Sequence, residues 1–226
     1  MLKPKKKITK KELKEDKFVK YTLQAKTYLD ENSKQVFIVV ASVLTVIVLI
    51  ILFVYVQKSK TEEAQSQLGI AQVEYSNMNY TKAINRLEKL INEYSGTEEA
   101  DQGLFLLANI LYQQEKYEEA KTNFQEFIDS YSGSNILFAS GLAGLASCYE
   151  FEKNYAEAAK YYALAADKAP DFVESDNYLY LSGVCYAKAG NNEFAIDKFE
   201  KILDSHLTTN RVNDAKVQLE KLKNEG

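Results

Sequence analysis

Tryptophan is absent from the chain, and its 226 residues include only two prolines, nine glycines, two cysteines and one histidine. So few prolines and glycines leave few points where a helix must stop. The abundant Ala, Leu, Glu and Lys are good helix formers, so the reading is all-helical with no sheet. His206, the lone histidine, cannot make a metal site by itself. The sequence has no Gly-rich phosphate loop, no paired-cysteine motif, no HExxH and no GxSxG. Paired acids such as Glu118-Glu119 read as the solvated face of a helix. Neither catalysis nor a cofactor nor a metal is expected.

Charge is unevenly placed. Residues 1–35 hold eleven Lys against five acids, a net +6, while residues 58–226 hold seventeen Lys and Arg against twenty-seven acids, a net −10. An acidic main domain does not suit nucleic acid, whose phosphates recruit clustered Lys and Arg.

Between these two regions, Val36 to Val56 is an uncharged run of 21 residues. As a helix it spans roughly 31 Å, the thickness of a bilayer's hydrocarbon core. A signal peptide has a shorter apolar core near the start and a small-residue cleavage site. Here 35 residues precede the run and Gln57-Lys58-Ser59-Lys60-Thr61 follows it, so the run is expected to stay as a signal-anchor. No cysteine follows it in lipoprotein fashion, and the helix itself is the tether. The N-terminal lysines place that end on the cytoplasmic side by the positive-inside rule. The remainder then lies outside the cytoplasm, which in a bacterium with two membranes means an inner-membrane protein with a periplasmic domain. Thr9-Lys10-Lys11-Glu12 has capping-box spacing, and Phe18, Thr22, Ala25 and Leu29 would share one face of a following helix. This segment reads either as a short membrane-lying helix or as a solvated basic tail drawn to anionic lipid. The expected domains are a basic cytoplasmic segment over 1–35, a transmembrane helix over 36–57 and a repeat domain over 58–226.

Internal similarity is the strongest signal after the apolar run. Ile91-Asn92-Glu93-Tyr94-Ser95-Gly96-Thr97 recurs 37 residues later as Ile128-Asp129-Ser130-Tyr131-Ser132-Gly133-Ser134. Ala83, Ala120, Ala158 and Ala195 stand in a second marker, separated by 37, 38 and 37 positions. Over residues 64 to about 207 the chain resembles the tetratricopeptide repeat (TPR) family of helix-turn-helix units. Repeat four carries Gly183, Tyr186, Gly190, Ala195 and Phe199; repeat two carries Leu107, Ala108, Tyr117, Ala120 and Phe124. Repeat three offers Leu145, Ala146, Tyr149, Ala158, Tyr162 and Pro170; repeat one offers Ala71, Tyr80, Ala83 and Leu87. Small residues let the two helices of a unit approach and aromatics fill the gaps, so each of these is first a packing residue. Gln67, Leu104, Leu142 and Leu179 stand where the family usually has Trp. Asn210–Lys223, with Val212, Ala215, Leu219 and Leu222 apolar, reads as a capping helix. The fold class is therefore all-α: one transmembrane helix, a solenoid of about four TPR-type hairpins and a C-terminal cap.

Cys148 and Cys185 occupy one position in successive repeats, where Cα atoms are expected roughly 8–10 Å apart, beyond disulfide reach. They read as buried thiols serving as small apolar side chains. The resemblance implies a scaffold that binds extended segments or helices of other proteins on the concave face lined by first helices. The family's carboxylate clamp needs Lys and Asn there. Asn109 is in place, but Phe105 stands where a Lys is required, so an aromatic groove formed by Tyr75, Phe105, Asn109, Tyr112, Glu150 and Tyr180 is expected instead.

A basic N-terminus, a single span and an extracytoplasmic array are similar to the bacterial family of the ancillary SecYEG translocon subunit, whose repeats resemble those of the periplasmic cell-division coordinator. That similarity implies a place beside the secretion channel, with translocon subunits, chaperones or secreted chains as partners. Two other readings stay open: a structural adaptor in envelope assembly or division, and an organelle-membrane receptor with its repeats facing the cytosol.

Overall fold

The structure, a computed structural model, describes residues 10–205 and 210–225. Thr9 and His206 lie outside the described residues. All regular structure among the described residues is helical: α1 (Lys10–Glu31), α2 (Ser33–Ser76), α3 (Tyr80–Glu93), α4 (Glu98–Gln113), α5 (Tyr117–Ser130), α6 (Asn135–Phe151), α7 (Tyr155–Lys168), α8 (Ser175–Lys188), α9 (Asn192–Leu203) and α10 (Arg211–Glu225). By contacts the chain divides into two units, Met1–Lys58 and Ser59–Gly226.

The first unit holds α1 and the apolar part of α2. Helix α2 runs for 44 residues, and among the described residues it alone is long and apolar enough to cross a membrane. No residue of Val36–Val56 is buried within the protein, and all but Val36 and Ala41 are exposed. Ser42 and Thr45 turn their hydroxyls back onto the carbonyls of Val39 and Ala41, so two of the three hydroxyl-bearing side chains of the run are satisfied inside the helix.

The second unit is a series of antiparallel hairpins, each helix packing on the next in sequence from α3 to α10. The last part of α2 pairs with α3 as hairpin one, through buried Ala64, Leu68 and Ala71 against Ala83, Leu87 and Leu90. Hairpins two, three and four are α4/α5, α6/α7 and α8/α9, and α10 closes the series with Ala215, Leu219 and Leu222 against Phe199 and Ile202. The expected four repeats and cap are all present.

The recurring Ile-x-x-Tyr-Ser-Gly-Thr/Ser string has a local cause. Tyr94 and Tyr131 are the C-caps of α3 and α5, both buried, while Thr97 and Ser134 are the N-caps of α4 and α6. Thr97 Oγ1 accepts from Ala100 N at 3.2 Å, satisfying one of the donors a helix start leaves open. Gly96 takes the turn at φ +81°, a conformation that costs glycine nothing. Inside the hairpins the alanines at the 37- and 38-residue spacing are completely buried, and Phe124, Phe127 and Phe199 are buried against Gly144, Gly141 and Gly183. A Cβ on Gly183 would sit within 2.6 Å of the Phe199 ring, so this glycine is there for close helix approach. Burying such a Leu or Phe contributes about 1.5–3 kcal/mol each.

Candidate protein-binding surface

Each hairpin turn holds one residue in the left-handed region: Met78, Glu115, Lys153 and Gly190, at φ between +60° and +78°. They give a common register for the first helices. Tyr75, Tyr112 and Glu150 each stand three residues before this turn residue; Phe105 and Tyr180 stand ten before it, and Asn109 six. Positions at these spacings lie on one stripe of a helix. The six candidates are thus three register positions of the same stripe, and all six are half-buried.

Every aromatic in the set touches the second helix of its own hairpin. Tyr75 meets Tyr80 at 6.0 Å, Phe105 meets Phe124 at 6.1 Å and Phe127 at 5.4 Å, Tyr112 meets Tyr117 at 5.2 Å, and Tyr180 meets Phe199 at 5.8 Å. These rings therefore hold the hairpins closed as well as lining the stripe. Asn109 Nδ2 donates to the carbonyl of Phe105 at 2.7 Å, bonding within its own helix. Tyr180 is also covered by the Arg211 guanidinium, 4.6 Å above its ring, which bonds Asn177 at 2.9 Å. The cap thus closes the stripe at its C-terminal end.

Successive first helices are joined by a rung that repeats. Gln113 Nε2 donates to Tyr75 Oη at 2.7 Å, and Lys188 Nζ donates to Glu150 at 2.8 Å, both across 38 residues of sequence. Between these two rungs, Phe151 stacks on Tyr117 with ring centroids 3.5 Å apart, beside Tyr112. Glu150 also accepts from Tyr162 Oη at 3.4 Å, and Tyr162 shares a 2.9 Å bond with Ser147, which stands at the Asn109 position of repeat three. Lys121 bridges Glu118 and Glu152 and lies 5.6 Å over the Tyr149 ring. The bond to Glu150 raises the pKa of Lys188, and burial raises that of Tyr112. Burial also raises the Tyr162 phenol. At neutral pH Lys188 keeps its charge and the Tyr112 and Tyr162 phenols keep their protons.

Reasoning from sequence missed Gln113, Ser147, Tyr162 and Lys188. The first, second and last were accessible by placing the repeats in register; Tyr162, on a second helix, was named only as packing. Cys148 and Cys185 are free and buried, as expected, and burial pushes both thiols up to about 12. Among the described residues, no group of His, Cys, Asp and Glu side chains could hold a metal ion.

A family model described as a tetratricopeptide repeat-like domain matches residues 26–224, taking in the apolar run together with the repeats. No protein of curated function matches. Among solved structures the chain is similar to the MamA protein at 17% identity, covering 66% of this chain and 75% of that one with a TM-score of 0.53. It is similar to a tetratricopeptide repeat protein from Parabacteroides merdae at 19% identity, TM-score 0.61, over 73% of this chain and 61% of that one. It is also similar to the apo form of RapI at 19% identity, TM-score 0.54, over 71% and 70% of the two chains. At these identities the likeness is one of fold.

Proposed function

The chain belongs to the tetratricopeptide repeat-like family, and from that premise we propose that it is a single-pass membrane scaffold whose repeats bind other proteins outside the cytoplasm. Repeat folds of this kind generally serve as non-catalytic interaction surfaces. The observation that carries the membrane part is the Val36–Val56 run, none of whose residues is buried within the protein. Twenty-one uncharged and mostly apolar residues left in water would be strongly unfavourable, and a bilayer matches both their length and their chemistry. Eleven lysines before the run favour a cytoplasmic N-terminus, which leaves the acidic repeats on the other side.

Protease protection of the full chain in its native membrane tests this. Digestion of the repeats from the outside, with the N-terminal segment protected, is the expected pattern; protected repeats would reverse the topology and favour the cytosol-facing receptor.

The partner is proposed from the similarity to the ancillary translocon subunit: the secretion channel and the chains and chaperones beside it. Photoreactive residues at Asn109, Tyr112 and Glu150 would crosslink to channel subunits and a mixture of secreted chains on this reading. One dominant envelope protein would support the adaptor instead, and no adduct from any of the three would remove the first-helix stripe as the binding surface.

A further inference from the structure

The second helices of the first two hairpins present a surface unlike the first-helix stripe. On the stripe, Glu150 is matched by Lys188, and at the end of α6 Glu152 is matched by Lys121 of α5. Along α5, by contrast, three clefts of about 460, 580 and 430 Å³ open side by side and share Glu126 as a wall. Two of them share a floor of Ile91 and Leu104, and the third is floored by Tyr149. Their walls carry Glu88, Glu98, Asp101, Glu119, Glu126 and Asp129. None of these six carboxylates forms an ion pair with a described lysine or arginine. Of the two lysines on the same walls, Lys121 is already held by Glu118 and Glu152.

Here the grooves have an apolar floor and predominantly negative walls, six carboxylates outside any ion pair against one lysine, Lys116, that is likewise outside one. The carboxylates do not converge, since no three of them could hold one metal ion. A spread of positive charge along a chain fits where a single ion does not. We propose that the face formed by α3, α4 and α5 is a second docking surface, for a partner-protein segment whose lysine or arginine side chains flank an apolar strip. Its cations meet Glu88, Glu119 and Glu126 on one groove, Asp101 on the second and Asp129 on the third, while its apolar residues rest on Ile91 and Leu104. Charge of this kind steers and selects the partner, and the apolar floor holds it. The proposal holds for either orientation of the chain in the membrane.

The test uses the full chain in detergent and a fluorescent amphipathic peptide of lysine and leucine, with a glutamate and leucine peptide as the opposite-charge probe. Anisotropy should report binding of the first peptide only, weakening as salt rises. The combined variant Glu88→Gln, Glu119→Gln, Glu126→Gln should lose about tenfold in affinity, in line with removal of several complementary charges. A control removing equal charge from α9 and α10, with Glu193→Gln, Asp204→Asn and Glu220→Gln, should change it less than about twofold. Helical circular dichroism checks that both variants fold. Absence of binding, or equal losses in the two variants, overturns the proposal. A synthetic peptide of residues 1–35 is the remaining probe: tighter binding of that peptide at the same face would make a second copy's tail the occupant and overturn it too.

Discussion

In the run Val36–Val56 no side chain is buried within the protein, whereas Leu87, Leu90, Ile110, Phe124, Phe127 and Phe199 of the repeats are almost completely covered. The side chains are of the same apolar kind. What separates them is their neighbours in sequence. In the repeats, apolar positions recur on one side of the second helices α3, α5 and α9 and alternate with charged ones, while glycines on the first helices let those partner helices close in. In the run there is no polar side to turn outward, and among the described residues no helix covers it, so the apolar surface points in every direction. Amphipathic pattern recruits protein as the cover; its absence over a bilayer's thickness suits lipid, the cover proposed for this run.

That contrast can be broken from either side. The largest effect is expected in the repeats: Phe199→Ala empties a fully buried site between α8, α9 and α10 and should cost about 3–5 kcal/mol in chemical unfolding. It should leave membrane extraction unchanged. Conversely, Leu49→Arg, near the middle of the run, should oppose insertion by about 2.5–3.5 kcal/mol, read as the fraction extracted by alkaline carbonate. Unfolding of the repeats should not move; if it does, the two apolar regions are not independent.

Smaller changes sharpen the packing half of the comparison. A Cβ on Gly144 would overlap the ring of Phe124, so Gly144→Ala should destabilise by about 1–3 kcal/mol. Gly69, with nothing within 4 Å of its added Cβ, should gain up to about 1 kcal/mol on the same substitution, a difference thermal unfolding resolves. Lys153 holds the left-handed turn residue at φ +62° where repeat four has Gly190, and Lys153→Gly should stabilise by about 0.5–1 kcal/mol.

The least visible effect is that of the thiols. Burial raises Cys148 and Cys185 from 9.0 to about 12, so the folded state holds their protons more tightly than the unfolded state. Their contribution is full below pH 9 and is lost as pH climbs toward 12. At neutral pH neither thiol should be alkylated until the domain unfolds, and rapid labelling of the folded chain would show that the core is open.

The hairpin count, the cap and the buried alanines were legible because repetition states the same packing problem several times over. Ala83, Ala120, Ala158 and Ala195 are all fully covered, at the spacing that pointed to them. The stripe was legible in part. Tyr75, Tyr112 and Glu150 were placed in one set, and the register of the turns puts them there. Their partners were harder to see, because Gln113 and Lys188 act across 38 residues and have meaning only once neighbouring first helices stand side by side. The packing duty of Phe105 and Tyr180 was hidden for a similar reason: a half-buried ring on a helix gives no sign in sequence of which neighbour it touches.

Sequence by itself determined the helical class, the repeat length, the apolar span and the sign of charge on either side of it. All of these are written in composition and periodicity, which follow from the fixed geometry of the helix. Tertiary structure alone decided which charges cancel between one helix and another. Glu150 and Glu152 find lysines, while Glu88, Glu119 and Glu126, alike in sequence, line grooves with no described cation paired to them. The reason is distance: ion pairs act over a few ångströms, and only the stacking of one hairpin on the next sets which side chains come that close.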